Sequence, residues 1–382
     1  MRPQDIGAAV AARLASGAPL ALCYGTRPQV VKASRLIEAL ESRWPLLTVD
    51  TGQHYDYELD ALLYEQLGVR PPRVCLEVGS GAHAAQTGAI MVRAAEVLAE
   101  HRPAAVVVIG DTNSTLGCAL AAVKLRVPVV HVEAGLRAAD ALMPEEINRR
   151  AVDAVSSVLC TPSAAATRRL AAERPDAVVV ETGDVSRDVL LRSASRVAPN
   201  ARPAGWPLAR AEAFVFSTLH RAELVDYPER LARALAALGA LDLPVVLAAH
   251  PRTREVLRRV GFVDAGAGRL HVVPPLGYLD AIACVRDAAV VATDSGGVQR
   301  EAYWLGTPCV TLRAETEWYE TVQLGANVLV PPEHVATALP DAVRGQLQQR
   351  HAGPRWDRDA YGTGDAAARV CRALERLGEP VG

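Results

Sequence analysis

The sequence predicts an α/β protein built from two doubly wound parallel sheets. Short apolar runs alternate with helical patterns in both halves of the chain. Glycines and polar residues cluster at the ends of those runs, where the next helix opens. The two series are separated by 193–213 (SASRVAPNARPAGWPLARAEA), which has no clear period and carries three prolines. The chain's 382 residues leave room for two cores of this kind.

In the first half, 19–24 (PLALCY) reads as a strand that breaks at Gly25-Thr26-Arg27-Pro28. Val30, Val31, Leu36, Ile37 and Leu40 then recur near helical spacing. Gly25 permits a sharp turn and Pro28 suits a first helical turn. Residues 46–50 form the next strand, ending at Thr51-Gly52-Gln53-His54, and a short helix is expected at 59–68. A long amphipathic helix at 84–100 precedes the strand 104–109, which ends in Gly110-Asp111-Thr112-Asn113-Ser114. A helix at 115–125, the strand VVHVE, a helix opened by Pro144 at Glu145, and strands at 156–161 and 177–181 complete this half.

Alternation restarts with strands at 213–217, 244–249, 270–274, 288–293, 308–312 and 326–330. Helices are expected at 228–240, 253–260, 278–287 and 297–305. From Tyr361 to Leu377 an amphipathic helix follows, with its turn and N-cap supplied by Gly362-Thr363-Gly364-Asp365. The expected domains are 1–187, 188–360, and a C-terminal helix 361–382 packing back towards the first.

Composition narrows the function classes. A net charge of −2 gives no bulk attraction to nucleic acid or to an anionic membrane. No apolar run approaches the ~18 residues of a membrane span, and the N-terminus lacks a signal-peptide core. The seven cysteines are scattered without a CxxC and read as small buried hydrophobes in a reducing compartment, so the cytoplasm is expected.

In parallel sheets, ligands bind beyond the C-terminal strand ends. Arg27, Gln53, Asp111 and Glu133 fall there in the first half. Arg27, at a helix N-terminus, is either an anion contact or a surface arginine. Asp111, Glu133 and Glu145 are candidates for proton chemistry, though a strand-end Asp is also an ordinary helix cap. In the second half, His220-Arg221, His250 and Asp294-Ser295-Gly296-Gly297 occupy strand ends, and Glu301 follows Gly297 by one helical turn. Two glycines at a helix start let backbone amides approach a diphosphate, with Ser295 as a further donor; a plain capped turn is the alternative. Glu301 could take both hydroxyls of a ribose. These features point to a nucleotide-linked substrate between two Rossmann-like domains, the GT-B architecture, and leave the reaction open.

The ordered set GTRPQVVK (25–32), TGQHYD (51–56), GDTNSTL (110–116), HVEAGLR (131–137), PEEINR (144–149), HRAE (220–223), HPR (250–252) and TDSGGVQREAYWLGTP (293–308) resembles the non-hydrolysing UDP-N-acetylglucosamine 2-epimerases, over about residues 20 to 375. The resemblance implies inversion at C2 of a UDP-2-acetamido sugar through UDP elimination to a 2-acetamidoglucal, with no cofactor and no metal. It implies Asp111, Glu133, Glu145 and His220 as catalytic residues. Arg27, His250, Ser295, Gly296, Gly297 and Glu301 carry over as UDP contacts, and Gln53, Gln86 and Arg221 as a regulatory UDP-sugar pocket. A homodimer is expected, with a UDP-sugar and neither nucleic acid nor membrane as its partner.

Departures bear on the sugar. Gln29 stands where many relatives have Glu, Leu224 follows Glu223, and the segment 138–143 is short. PEEINR and TEWYET look more like the subgroup acting on UDP-2,3-diacetamido-2,3-dideoxy-glucuronic acid, and HVEAGLR more like the UDP-GlcNAc enzymes. A carboxylated sugar would want a cation near C6; Arg137 and Arg313 are candidates, or else ion-pair partners of Glu133 and Glu315. A hydrolysing 2-epimerase, a GT-B glycosyltransferase and a non-catalytic nucleotide-sugar sensor are the alternatives.

Overall fold

The computed structural model describes residues 3–53, 64–65, 67–259, 268–353 and 355–375. His54, the rest of TGQHYD and most of the helix expected at 59–68 lie outside the described residues. The chain forms two compact units, Met1–Val189 with Tyr361–Gly382, and Leu190–Ala360. The helix Val185–Ala194 spans the boundary between them.

The first unit holds strands β1 (Leu20–Tyr24), β2 (Leu46–Asp50), β3 (Val74–Cys75), β4 (Ala105–Ile109), β5 (Val129–Val132), β6 (Val158–Thr161) and β7 (Val178–Glu181). They make one parallel sheet in the order β3-β2-β1-β4-β5-β6-β7. The order reverses between β1 and β4, so the loops after these strands diverge and leave a crevice at their ends. Both faces are covered, as a parallel sheet requires. Along β4, Ala105, Val107 and Ile109 join one apolar cluster while Val106 and Val108 join the other. On the second face the helices His83–His101 and Asn113–Lys124 pack closely at Gly117, where an added Cβ would lie 2.6 Å from Ile90 Cγ2.

The second unit holds β8 (Val215–Thr218), β9 (Val245–Ala248), β10 (Leu270–Val273), β11 (Val290–Thr293), β12 (Cys309–Thr311) and β13 (Asn327–Leu329), parallel in the order β10-β9-β8-β11-β12-β13. Here the order reverses between β8 and β11, and the loops after these two strands carry His220 and Asp294.

Every strand read from the sequence is present, and the two-residue edge strand β3 is added. The short helices Ala222–Val225 and Tyr319–Gln323 and the longer Pro3–Ala15, Ala164–Glu173, Val185–Ala194 and Val335–Ala352 were not anticipated. The last buries Val335, Leu339, Val343 and Gln346, a sparse stripe, and has Pro340 inside it. Proline removes one helical hydrogen bond, from the Ala336 carbonyl, which sits on an exposed turn where water can replace it. The C-terminal helix begins at Ala366, and its cap differs from the one expected. Asp188 accepts from Ala366 N–H at 3.0 Å and Ala367 N–H at 2.8 Å, while Asp365 pairs with Arg369 at 2.9 Å.

Candidate active site

The loop after β1 is shaped by close approach. Gly25 needs no left-handed backbone; a Cβ there would lie 1.8 Å from Thr51 Oγ1 and 2.4 Å from Ser114 Oγ. Gln29 accepts from Gly25 N–H at 3.0 Å and Thr26 N–H at 3.2 Å through Oε1. Its Nε2 donates to the Ile109 carbonyl at 2.7 Å and Thr115 Oγ1 at 2.9 Å. The substitution noted in the sequence therefore ties the β1 loop to the end of β4 with a donor that glutamate would lack. Arg27 is the first residue of the helix Arg27–Glu41 and is exposed.

Asp111 is not the cap of the helix that follows it. Thr112 is, accepting from Thr115 N–H at 3.3 Å. The Asp111 carboxylate is 31% exposed and takes a 2.5 Å hydrogen bond from Arg149 Nη2. Arg149 is held in turn by Glu146, which is fully buried, receives Arg150 Nε at 2.7 Å and accepts from Ala138 N–H at 2.8 Å. Of the adjacent acidic pair, Glu146 is thus the framework residue and Glu145 the available one. Glu145 sits half-buried in the first turn of the helix Pro144–Val155. Glu133 directly follows β5 with φ +71°, a left-handed conformation rare for a non-glycine residue, and is ion-paired to Lys32 from the helix Arg27–Glu41.

Gln53 and Gln86 belong to a hydrogen-bonded framework. Gln53 Oε1 accepts from Ser114 N–H at 3.0 Å and Ser114 Oγ at 2.7 Å. Gln86 donates to the Gly79 carbonyl at 2.7 Å and accepts from Asn113 Nδ2 at 2.8 Å. Asn148 donates to the Asp111 carbonyl at 2.9 Å and to Asn113 Oδ1 at 3.1 Å, joining this framework to the loop after β4.

Arg137 is paired with Asp153 at 2.6 Å and Glu173 at 2.5 Å. Arg313 in the second unit pairs with Glu317 at 3.2 Å and lies 4.0 Å from Glu223. Both arginines are thus engaged in ion pairs, one of the two roles the sequence offered for them. Each arginine is buried against its own anion.

In the second unit, fully buried Asp294 organises the loop after β8. Its Oδ2 accepts from the backbone N–H groups of His220 and Arg221, both at 2.8 Å, and its Oδ1 faces His220 Nδ1 at 3.4 Å. Burial, the largest influence, pushes the His220 pKa down; Asp294 opposes this, and Arg221 and Arg252 add to it. The His250 ring lies 5.7 Å away, centroid to centroid. His250 Nδ1 accepts from Arg252 N–H at 3.3 Å, which leaves Nε2 as the ring's donor.

Ser295 caps the helix Gly296–Leu305, accepting from Val298 N–H at 3.4 Å, so Gly296 and Gly297 form a first turn with free-facing amides. An added Cβ on Gly296 would lie 3.5 Å from Trp318 Nε1 and 3.8 Å from Arg221 Nη2, which places a cation and an indole beside this turn. Arg300 stacks on Trp318 at 3.8 Å. On the same helix, burial raises Glu301 to about 7, against the attraction of Arg300 and a hydrogen bond from Tyr278.

The first unit therefore gathers Asp111, Glu133 and Glu145 at the ends of β4, β5 and a neighbouring helix start, and the second gathers His220, His250, Ser295 and Glu301. Sequence reasoning assigned no role to Lys32, Glu146, Arg149 and Asp294. Lys32 and Arg149 close GTRPQVVK and PEEINR, and Glu146 lies within the latter, so those motifs held a signal.

Comparisons with known proteins identify the family. A family model described as UDP-N-acetylglucosamine 2-epimerase matches residues 38–375. A UDP-2,3-diacetamido-2,3-dideoxy-D-glucuronate 2-epimerase from Pseudomonas aeruginosa is 41% identical over 369 residues, covering 92% of this chain and 98% of that protein. A UDP-N-acetylglucosamine 2-epimerase from Methanocaldococcus jannaschii is 35% identical, covering 93% of this chain and 98% of that protein. A crystal structure of the Methanocaldococcus jannaschii enzyme in complex with UDP-GlcNAc and UDP superposes with a TM-score of 0.82 at 34% identity, covering 93% of this chain and 99% of that one. A rhamnosyltransferase at 16% identity and a TM-score of 0.52 shares the fold alone. The two Rossmann-like units are those of the GT-B architecture, and the chain belongs to the UDP-N-acetylglucosamine 2-epimerase family.

Proposed function

We propose that the protein inverts C2 of a UDP-linked 2-acetamido sugar by elimination and re-addition of UDP. A carboxylate of the first unit takes the C2 proton. The C2–H electron pair becomes the C1=C2 bond of a 2-acetamidoglucal while the C1–O bond to UDP breaks. Return of a proton to the opposite face of C2, and attack of UDP at C1, give the epimer. The observation that carries this reading is the set of three carboxylates with unequal restraints: Asp111 held by Arg149, Glu133 by Lys32, and Glu145 open at a helix start. C2–H is weakly acidic, and inversion needs a proton acceptor and a proton donor on opposite faces.

The second unit supplies the leaving group's site. Amides of Gly296 and Gly297 and the Ser295 turn stabilise the departing diphosphate. His220 and the donor Nε2 of His250 serve the same charge, and Glu301 takes the ribose hydroxyls. The working form is a homodimer, which the mass in solution tests.

UDP-2,3-diacetamido-2,3-dideoxy-D-glucuronate is the first sugar to try, because the 41% identical relative acts on it; UDP-GlcNAc is the second. Each is incubated with the enzyme and followed by proton NMR. Growth of the C2-inverted UDP-sugar supports the reading. A glycosyl transfer product, or no change with either sugar, would sink it.

A further inference from the structure

HVEAGLR contributes Glu133 to the proposed chemistry, yet its His131 and Arg137 converge on a carboxylate that the chemistry does not use, Asp153. His131 is 0% exposed and Asp153 1%. His131 Nδ1 lies 2.7 Å from Asp153 Oδ1, and Nε2 lies 2.7 Å from the Gly110 carbonyl oxygen. The second oxygen, Asp153 Oδ2, accepts from Gly135 N–H at 3.2 Å and Arg137 Nη1 at 2.6 Å. A carbonyl oxygen can only accept. Asp153, ion-paired to Arg137 and accepting the Gly135 N–H through its carboxylate, is an acceptor too. Either neutral tautomer of His131 would press a bare ring nitrogen against an oxygen lone pair in a dry interior. Both ring nitrogens therefore donate.

We infer that His131 is a buried imidazolium and that the His131–Asp153–Arg137 chain is the positioning device that aims Asp111 and Glu133. Glu173, 2.5 Å from Arg137 Nη2, completes the set, so two cations meet two anions. Each end of the chain grips a left-handed turn. Gly110, with φ +67°, gives its N–H to the Val132 carbonyl at 2.9 Å and its carbonyl to His131, and Asp111 follows directly. Gly135, with φ +84°, gives its N–H to Asp153 two residues after Glu133. One carboxylate from the helix Pro144–Val155 thus organises both turns that bear candidate catalytic acids. The consequence for turnover rests on the epimerase reading; the protonation of His131 does not.

Two measurements on the full chain test this. In long-range proton–nitrogen NMR of histidine-labelled enzyme, with His131 assigned from His131→Asn, both ring nitrogens should show the protonated signature at neutral pH. A bare nitrogen at either position would overturn the inference whatever the enzyme's activity. In Asp153→Asn, kcat should fall about 100-fold, the scale of misplacing reacting groups by about 1 Å, with KM for the UDP-sugar changed less than about threefold. An unchanged kcat, or a rise in KM matching the fall in kcat, would refute the positioning role. If the wild type proves inactive, the functional reading fails and the NMR result still decides the state of His131.

Discussion

Replacing Glu301 by Gln should flatten the pH dependence of UDP-sugar binding. Burial raises this carboxyl from an ordinary value of 4.5 to about 7. With that value it is about nine-tenths ionised at pH 8 and about one-tenth at pH 6. If the anion is what accepts the ribose hydroxyls, affinity falls about tenfold between pH 8 and pH 6, or about 1.4 kcal/mol. The sign follows from a raised acid: the free site holds its proton up to about 7, so acid weakens binding. The same shift makes the fold lose stability as the pH rises from about 4.5 through about 7, because the folded chain binds this proton more tightly than the unfolded one. Calorimetric titration with UDP-GlcNAc isolates the effect, since its esterified diphosphate lacks the monoester proton that titrates near 6. His220 is the other group to watch, and a decline that survives in Glu301→Gln would belong to it. A wild-type profile that is level, or as steep in the variant, would refute the assignment.

The framework predicts further effects. Glu146→Gln removes the buried anion shared by Arg149 and Arg150 and should cost about 3 kcal/mol, read as a lower urea midpoint. Gln29→Glu turns two donated bonds, to Ile109 and Thr115, into oxygen–oxygen contacts and should cost about 1–3 kcal/mol by the same assay; an unchanged midpoint would mean the loop rearranges freely. Gly117→Ala forces a methyl against Ile90 and should lower the midpoint by about 1–3 kcal/mol, with no change in KM.

Both sheets were legible because buried parallel strands are short, uniformly apolar and bounded by turns, as in β4 and β11. Helices with few buried positions were not: Val335–Ala352 shows Val335, Leu339 and Val343 spread over three turns, with Pro340 suggesting a break. Among the candidate residues, those at strand ends stood out because polar groups there interrupt apolar runs. Their supports did not stand out. Arg149 reaches Asp111 across 38 positions and Lys32 reaches Glu133 across 101, and no local spacing encodes such contacts. Which member of Glu145-Glu146 is structural depended on burial, and so did the pairing of Arg137, whose partners Asp153 and Glu173 lie on two later helices.

The central claim is that the C2 proton leaves the sugar and returns from solvent-exchanged acid while UDP is off C1. Incubation with the UDP-2-acetamido sugar that the enzyme turns over, in D₂O and followed by NMR and mass spectrometry, tests it most directly. The account predicts one deuterium at C2 in both epimeric UDP-sugars, with the UDP-linked pool conserved. Release of the free 2-acetamido sugar, or epimer that retains its C2 proton, would contradict it.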